Sequence, residues 1–299
     1  MSFSSQIKSE ILDNKPLRQR FRLELAYGFF LFAGSFTPDE IAYVTESQDL
    51  QKLFYREARW ILGKDALIRT GEIRRSGRVA WSASIPDAAS RNRLLLHFGH
   101  TGIINHGLLE TPEQVGAFLA GAFLSCGSTS DPEKSYHLEF VTRRRELATG
   151  LSHVLEAAIP GCKSTTRRTS HIVYYKDCSQ IEDLLTLIGA SRASLAMIDV
   201  EMIKQVRNQA NRVTNCETAN IDKTVGAAAT QISDIEYILR TKGEEYLPES
   251  LREVARLRME NPDLSLRELA ELMPEPISRS GMHHRLEKIS RLAEELRRG

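Results

Sequence analysis

The stretch LAYGFFLFAG (Leu25–Gly34) recurs in kind as FLAGAFLSCG (Phe118–Gly127), and its glycines keep one offset: Gly28 and Gly121, like Gly34 and Gly127, stand 93 residues apart. Both segments are apolar and rich in small residues. Each reads as a helix whose missing Cβ atoms let a second backbone come close. The same shift carries Ile73-Arg74-Arg75-Ser76 onto Thr166-Arg167-Arg168-Thr169, and Val79-Ala80-Trp81 onto Ile172-Val173-Tyr174. Around both copies the order is apolar helix, short strand (Ala42–Thr45, then Tyr136–Val141), amphipathic helix, basic hairpin and closing helix. Two unrelated buried helices would explain the apolar character but not the matched spacing. A duplication over about 15–105 and 110–190 is therefore expected.

At 299 residues and 41% hydrophobic content the chain can fill real cores, and its formal charge of +1 places any basic surface locally rather than overall. Four scattered cysteines (Cys126, Cys162, Cys178, Cys216) form no CxxC pair, so no metal site is expected and reduced thiols are. The start MSFSSQIKSEIL is too short and charged for a signal core, and no apolar run suits a membrane. A cytoplasmic protein without cofactor or membrane partner is the expectation.

A glycine-bearing small-residue helix, repeated about one hundred residues on and followed each time by a strand and a basic hairpin, resembles the LAGLIDADG homing-endonuclease fold. The resemblance implies paired helices at the repeat interface and sheets forming a saddle over the DNA major groove. In that pattern the residue before the final glycine is an acid that holds catalytic metal, because hard cations need anionic oxygen. Here those positions are Ala33 and Cys126. Alanine offers no donor and a thiol suits magnesium poorly, so catalysis is not expected and no catalytic residue is assigned. An active DNA endonuclease is the alternative.

The scaffold's basic hairpins remain candidates for phosphate contact. Arg69, Arg74, Arg75 and Arg78 stand against Glu72, and Lys163, Arg167, Arg168 and Lys176 stand against no acid. A solvated hairpin face fits these charges equally well. Arg143–Arg145 read instead as the start of a helix.

Beyond Gly189 the texture changes. Residues 191–240 have no proline and one glycine, which predicts a linker helix over 196–215 between an N-terminal domain (1–195) and a DNA-binding domain (216–299). In NRVTNCETANIDKTV, the residues Asn211, Arg212, Asn215, Asn220 and Lys223 could line a polar face, or the asparagines could serve as caps. Ser265 and Glu268 form a capping box opening a helix with Leu266, Leu269, Ala270 and Met273 on one face. Pro274 and Pro276 enforce a turn. Ser278 can then cap a second helix whose apolar residues are Met282, Leu286, Ile289, Ala293 and Leu296.

The polar side of that second helix, with Ser278, Arg279, Ser280, His283, His284, Arg285 and Lys288, and with Arg267 before it, has the pattern of a recognition helix. Adjacent His283 and His284 diverge on a helix and read as surface residues rather than a chelating pair. A helical hairpin for protein contacts has the same apolar spacing and stays open as a reading.

The acid-less duplication, DPEKSYHLEF, NRVTNCETAN, NPDLSLRELAEL and SGMHHRLEKI, in that order, resemble the bacterial WhiA family over essentially the whole chain. The resemblance implies an α+β protein: a duplicated LAGLIDADG homing-endonuclease-like domain followed by an all-α helix-turn-helix domain similar to the promoter-reading domain of sigma factors. It also implies a sequence-specific, nucleoid-associated regulator of transcription tied to sporulation, cell division or chromosome segregation. Double-stranded DNA is the implied partner, with another transcription regulator or RNA polymerase as a second. An adaptor whose N-terminal domain binds protein is the remaining reading. Cys126 departs from the small residue usual there.

Overall fold

The computed structural model describes residues 2–75, 78–100 and 102–298, with no side-chain description of Arg75 or Arg78. Ser76 of the aligned tetrad lies outside the described residues, as do the side chains of those two arginines. The chain forms two compact units, residues 1–204 and 205–299.

In the first unit, α1 (Phe3–Asp13) and α2 (Lys15–Arg20) precede two copies of one plan. The first copy runs α3 (Arg22–Leu31), β1 (Ser35–Phe36), β2 (Ile41–Thr45), α4 (Gln48–Leu62), β3 (Arg69–Arg75), β4 (Arg78–Ser84) and α5 (Ala88–His97). The second runs α6 (Pro112–Cys126), β5 (Gly127–Thr129), β6 (Leu138–Thr142), α7 (Arg145–Ala158), β7 (Lys163–Arg167), β8 (Ser170–Tyr175) and α8 (Cys178–Leu187). The sheets have matching antiparallel orders, β1-β2-β4-β3 and β5-β6-β8-β7. This is the expected α+β duplication.

Helix α6 starts where its sequence says it should: Thr111 and Gln114 cap it reciprocally, and Pro112 sits in the first turn, where no N–H is needed. Helix α3 buries residues 24–31 and helix α6 residues 116–124 because the two lie on each other and under both sheets. Gly28 and Gly121 make that crossing possible. A Cβ on Gly28 would overlap the Phe118 carbonyl oxygen, and one on Gly121 would come 2.7 Å from the Phe29 nitrogen. Gly34 and Gly127 differ from the expectation, because they do not serve the crossing. A Cβ on Gly34 would meet only the Ala42 carbonyl oxygen at 3.4 Å, and Gly127 is the C-cap of α6, pressed against the Phe123 ring.

The constant offset also fails inside the hairpins. Arg75 pairs with Arg78 at the end of β3 and β4, whereas Arg167 pairs with Ser170 at the end of β7 and β8. The residue 93 positions after Arg75 is Arg168, which occupies the turn with φ 56°. A one-residue slip turns side chains to the opposite face of a strand. Val79, near the end of its hairpin, is exposed, whereas its sequence match Ile172 is buried.

Helix α4 buries Leu50, Leu53, Phe54, Ala58 and Leu62 at helical spacing. Buried Gln51 on the same face donates from Nε2 to the carbonyls of Gly71 (3.0 Å) and Ser82 (2.7 Å), fastening the helix to the hairpin. The arginine triplet stands at a helix start, as expected, with Arg144 the N-cap position of α7 and Arg145 its first residue. The Arg144 guanidinium donates to the Gly102 carbonyl at 3.1 Å.

The helix expected over 196–215 lies within α9 (Ser191–Lys242). The second unit adds α10 (Glu249–Glu260), α11 (Leu266–Glu271) and α12 (Arg279–Arg298) to the later part of α9. Their core contains Ile235, Ile238, Leu251, Val254, Leu269, Met282, Leu286 and Ile289. Among the described residues, no helix is long and apolar enough to cross a membrane.

Candidate nucleic-acid interface

Two caps set the geometry of the last two helices. The Ser265 hydroxyl accepts from the Glu268 N–H at 3.3 Å while the Glu268 carboxylate accepts from the Ser265 N–H at 2.8 Å. The Ser278 hydroxyl accepts from the Gly281 N–H at 3.0 Å. The Glu268 carboxyl is held below its ordinary range by its hydrogen bonds from Ser265.

With α12 started at that point, Met282, Leu286, Ile289 and Ala293 enter the core, and Arg279, Ser280, His283, His284 and Lys288 face solvent. Arg285 is half-buried. Arg279, His283 and Lys288 carry no ion pair among the described residues, so their donors are free to meet an anion. Arg267 is engaged at the surface with Glu271 (3.2 Å), and the ring of His284 lies 4.0 Å from the Glu287 carboxylate. The Glu287 carboxyl is held low, first by its hydrogen bond from Arg291 at 2.7 Å.

Lys223, from the polar motif on α9, lines a groove of about 870 Å³ together with Arg258, Arg267, Arg279, Ser280 and His283. The structure thus brings one motif residue to the start of α12. Its companions are placed differently. Asn211, Arg212, Asn215 and Asn220 are exposed within α9, and the asparagines cap nothing because the helix is continuous there. Asn211 and Asn215 share a face, whereas Asn220, nine residues past Asn211, falls about half a turn round. Asn220 donates weakly to the Cys216 sulfur at 3.7 Å.

Arg258 was not singled out from sequence. Its side chain is fully buried, and Nη1 donates to the Leu264 carbonyl at 2.8 Å, fixing the loop between α10 and α11. Burial lowers its pKa from the ordinary arginine value. Its position seven after Leu251, on the stripe that includes Val254 and Ala255, was the signal that could have found it.

In the first unit, β7 is an exposed edge strand presenting Lys163 and Arg167, with Arg168 in the adjoining turn. Lys176 is exposed beside the Tyr174 ring, 5.4 Å from its centroid. Arg74 differs, because its Nε donates to Glu72 at 2.7 Å and its charge is locally matched.

Ala33 is buried, and burial pushes the Cys126 thiol up to about 12, opposed by the Lys8 ammonium and a hydrogen bond from the Val141 N–H. Lys8 is itself lowered by burial, with Cys126 acting the other way. Elsewhere, Cys178, Glu182 and Glu201 place possible ligand atoms within 4.8 Å of one another, a grouping the sequence spacing did not reveal. Burial raises both the Cys178 thiol and the Glu182 carboxyl, and the thiol donates to Glu182 at 3.2 Å. The thiol would bind a cation only after losing its proton.

A family model described as the WhiA C-terminal HTH domain matches residues 210–293, and one described as the WhiA LAGLIDADG-like domain matches residues 115–207. A probable cell division protein WhiA from Thermoanaerobacter sp. (strain X514) is 33% identical over 99% of this chain and 98% of its own. One from Clostridium perfringens is 46% identical over 66% of this chain and 62% of its own. The crystal structure of full-length DUF199/WhiA from Thermotoga maritima superposes with a TM-score of 0.60 at 25% identity, covering 99% of both chains.

Proposed function

The chain belongs to the WhiA family, and from that membership we propose that it is a sequence-specific DNA-binding regulator that holds the duplex without cutting it. One observation carries the reading: Arg279, Ser280, His283 and Lys288 stand exposed along the start of a helix whose other face is locked into the core. Side chains so presented reach base edges in a major groove, while Arg267 and Lys223 at the neighbouring groove suit flanking phosphates. Lys163, Arg167 and Arg168 supply a second, sequence-independent phosphate surface. The relatives' name, probable cell division protein, supports a regulatory role in division.

The absence of cleavage follows from Ala33 and Cys126 standing where the LAGLIDADG pattern has acids. Cys126 holds its proton and lies under the influence of an ammonium group, a setting that opposes a divalent ion. Gel shift of the full chain on DNA fragments selected from a genomic pool tests the proposal. Arg279→Ala with Lys288→Ala is expected to reduce specific affinity by about 1–3 kcal/mol per lost base contact. Unchanged affinity sinks the assignment of α12, and magnesium-dependent, EDTA-sensitive plasmid cleavage sinks the non-catalytic reading.

A further inference from the structure

A second cationic site lies wholly in the first unit and takes no part in the surfaces above. Helices α2, α3 and α4 border an open cavity of about 450 Å³ lined by Lys15, Arg18, Gln19, Arg22, Arg56 and Glu57. Four cations therefore face one carboxylate.

That carboxylate is already spent. Buried Glu57 accepts from Arg22 Nε at 2.6 Å through one oxygen and from Arg56 Nε at 2.8 Å through the other. Both guanidiniums are held by Nε, which leaves their Nη groups available as donors. Arg56 Nη2 is buried with no partner among the described residues. A donor without an acceptor is unfavourable, so an anion oxygen brought to this group would be bound favourably. Arg22 is further fixed by lying 4.2 Å from the centroid of the Trp60 ring.

The cations also act on one another. The pKa of Arg18 is lowered first by burial and then by facing Arg56, with Arg22 adding to the effect and Glu57 and Asp13 opposing it. Helix α3 begins here at Arg22, Phe21 gives it no side-chain cap, and the one acid of its first turn, Glu24, is buried and accepts from Gln114 Nε2 at 2.9 Å. The unpartnered Arg56 Nη2, the crowded like charges and the uncapped helix start favour one kind of group, a compact anion with several oxygens.

We propose that this cavity binds the phosphate chain of a small oligophosphate, either inorganic or carried by a nucleotide. Arginine forks match phosphate oxygens in pairs, and a cavity of this size admits a small molecule.

The probes are sodium tripolyphosphate, ATP and adenosine, titrated calorimetrically into the full chain at about 150 mM salt, where weak surface attraction is largely screened. Saturable binding of tripolyphosphate, with none of adenosine, is expected. Lys15→Gln with Arg18→Gln should weaken it about tenfold or more. These two residues do not hold Glu57, so its pairing with Arg22 and Arg56 survives; because Arg18 also donates to the Leu12 carbonyl, exposed Lys15→Gln alone is the structurally neutral test and should still weaken binding measurably. Arg167→Gln, outside the cavity, should leave it unchanged. ATP binding tighter than tripolyphosphate identifies a nucleotide as the source, and equal binding identifies the inorganic chain. No saturation by either phosphate, equal losses in the Arg167 variant, or a site filled only by DNA duplex would overturn the proposal.

Discussion

Gly28 and Gly121 occupy reciprocal places at one helix crossing: each gives up its Cβ to the backbone of the other helix, Gly28 to Phe118 and Gly121 to Leu25 and Phe29. The duplicated first unit is organised around this contact. A side chain at either position forces two backbones apart.

Gly28→Ala is accordingly expected to destabilise the first unit by about 3 kcal/mol, the upper part of the range for overpacking a core. Gly226→Ala is the internal control. Gly226 lies within α9 with open space around its would-be Cβ, so alanine there should stabilise by about 1 kcal/mol through helix propensity. Urea unfolding of the two variants checks the sign as well as the size, and equal effects contradict the crossing.

Arg258→Ala should destabilise the second unit by about 3 kcal/mol, because it removes the donor from the Leu264 carbonyl and empties a fully buried position. Loss of DNA affinity should follow only as folded protein is lost. Thermal unfolding monitored alongside gel shift separates this from the direct loss expected for Arg279→Ala.

Acid should weaken the first unit through His100. Burial, then the nearby Arg144 charge, lowers its pKa from 6.5 to about 4, so between these values the unfolded chain binds a proton that the folded chain does not. Its contribution is therefore present above pH 6.5 and is lost as pH falls toward 4. Stability measured across that window should fall less steeply in His100→Gln than in the unchanged protein; identical slopes would remove His100 as the cause.

Thiol reactivity should divide the cysteines. Cys216 is exposed, whereas Cys126 keeps its proton up to about pH 12. At a pH of about 8 a thiol reagent should modify Cys216 quickly and Cys126 only on unfolding. The sign at high pH follows from the raised value: between about 9 and 12 the unfolded chain releases a proton that the folded chain retains, so stability falls as pH rises. Mass-resolved labelling kinetics, with Cys126 reacting as fast as Cys216, would contradict this account.

The local patterns of the sequence were enough to read the duplication, the order of elements in each copy, and the two caps at Ser265 and Ser278. Helix caps and apolar spacing are settled within a few residues of chain, and the matched glycines record a packing need directly. The one-residue slip between the hairpins, the burial of Arg258, the placing of Lys223 and Arg279 along one groove, and the crowding of Arg18 against Arg56 were decided only in the folded molecule. Strand register and the pairing of charges distant in sequence depend on which surfaces the packed elements bring together. An arginine looks the same in the chain whether it will face water, hold a loop or wait for an anion.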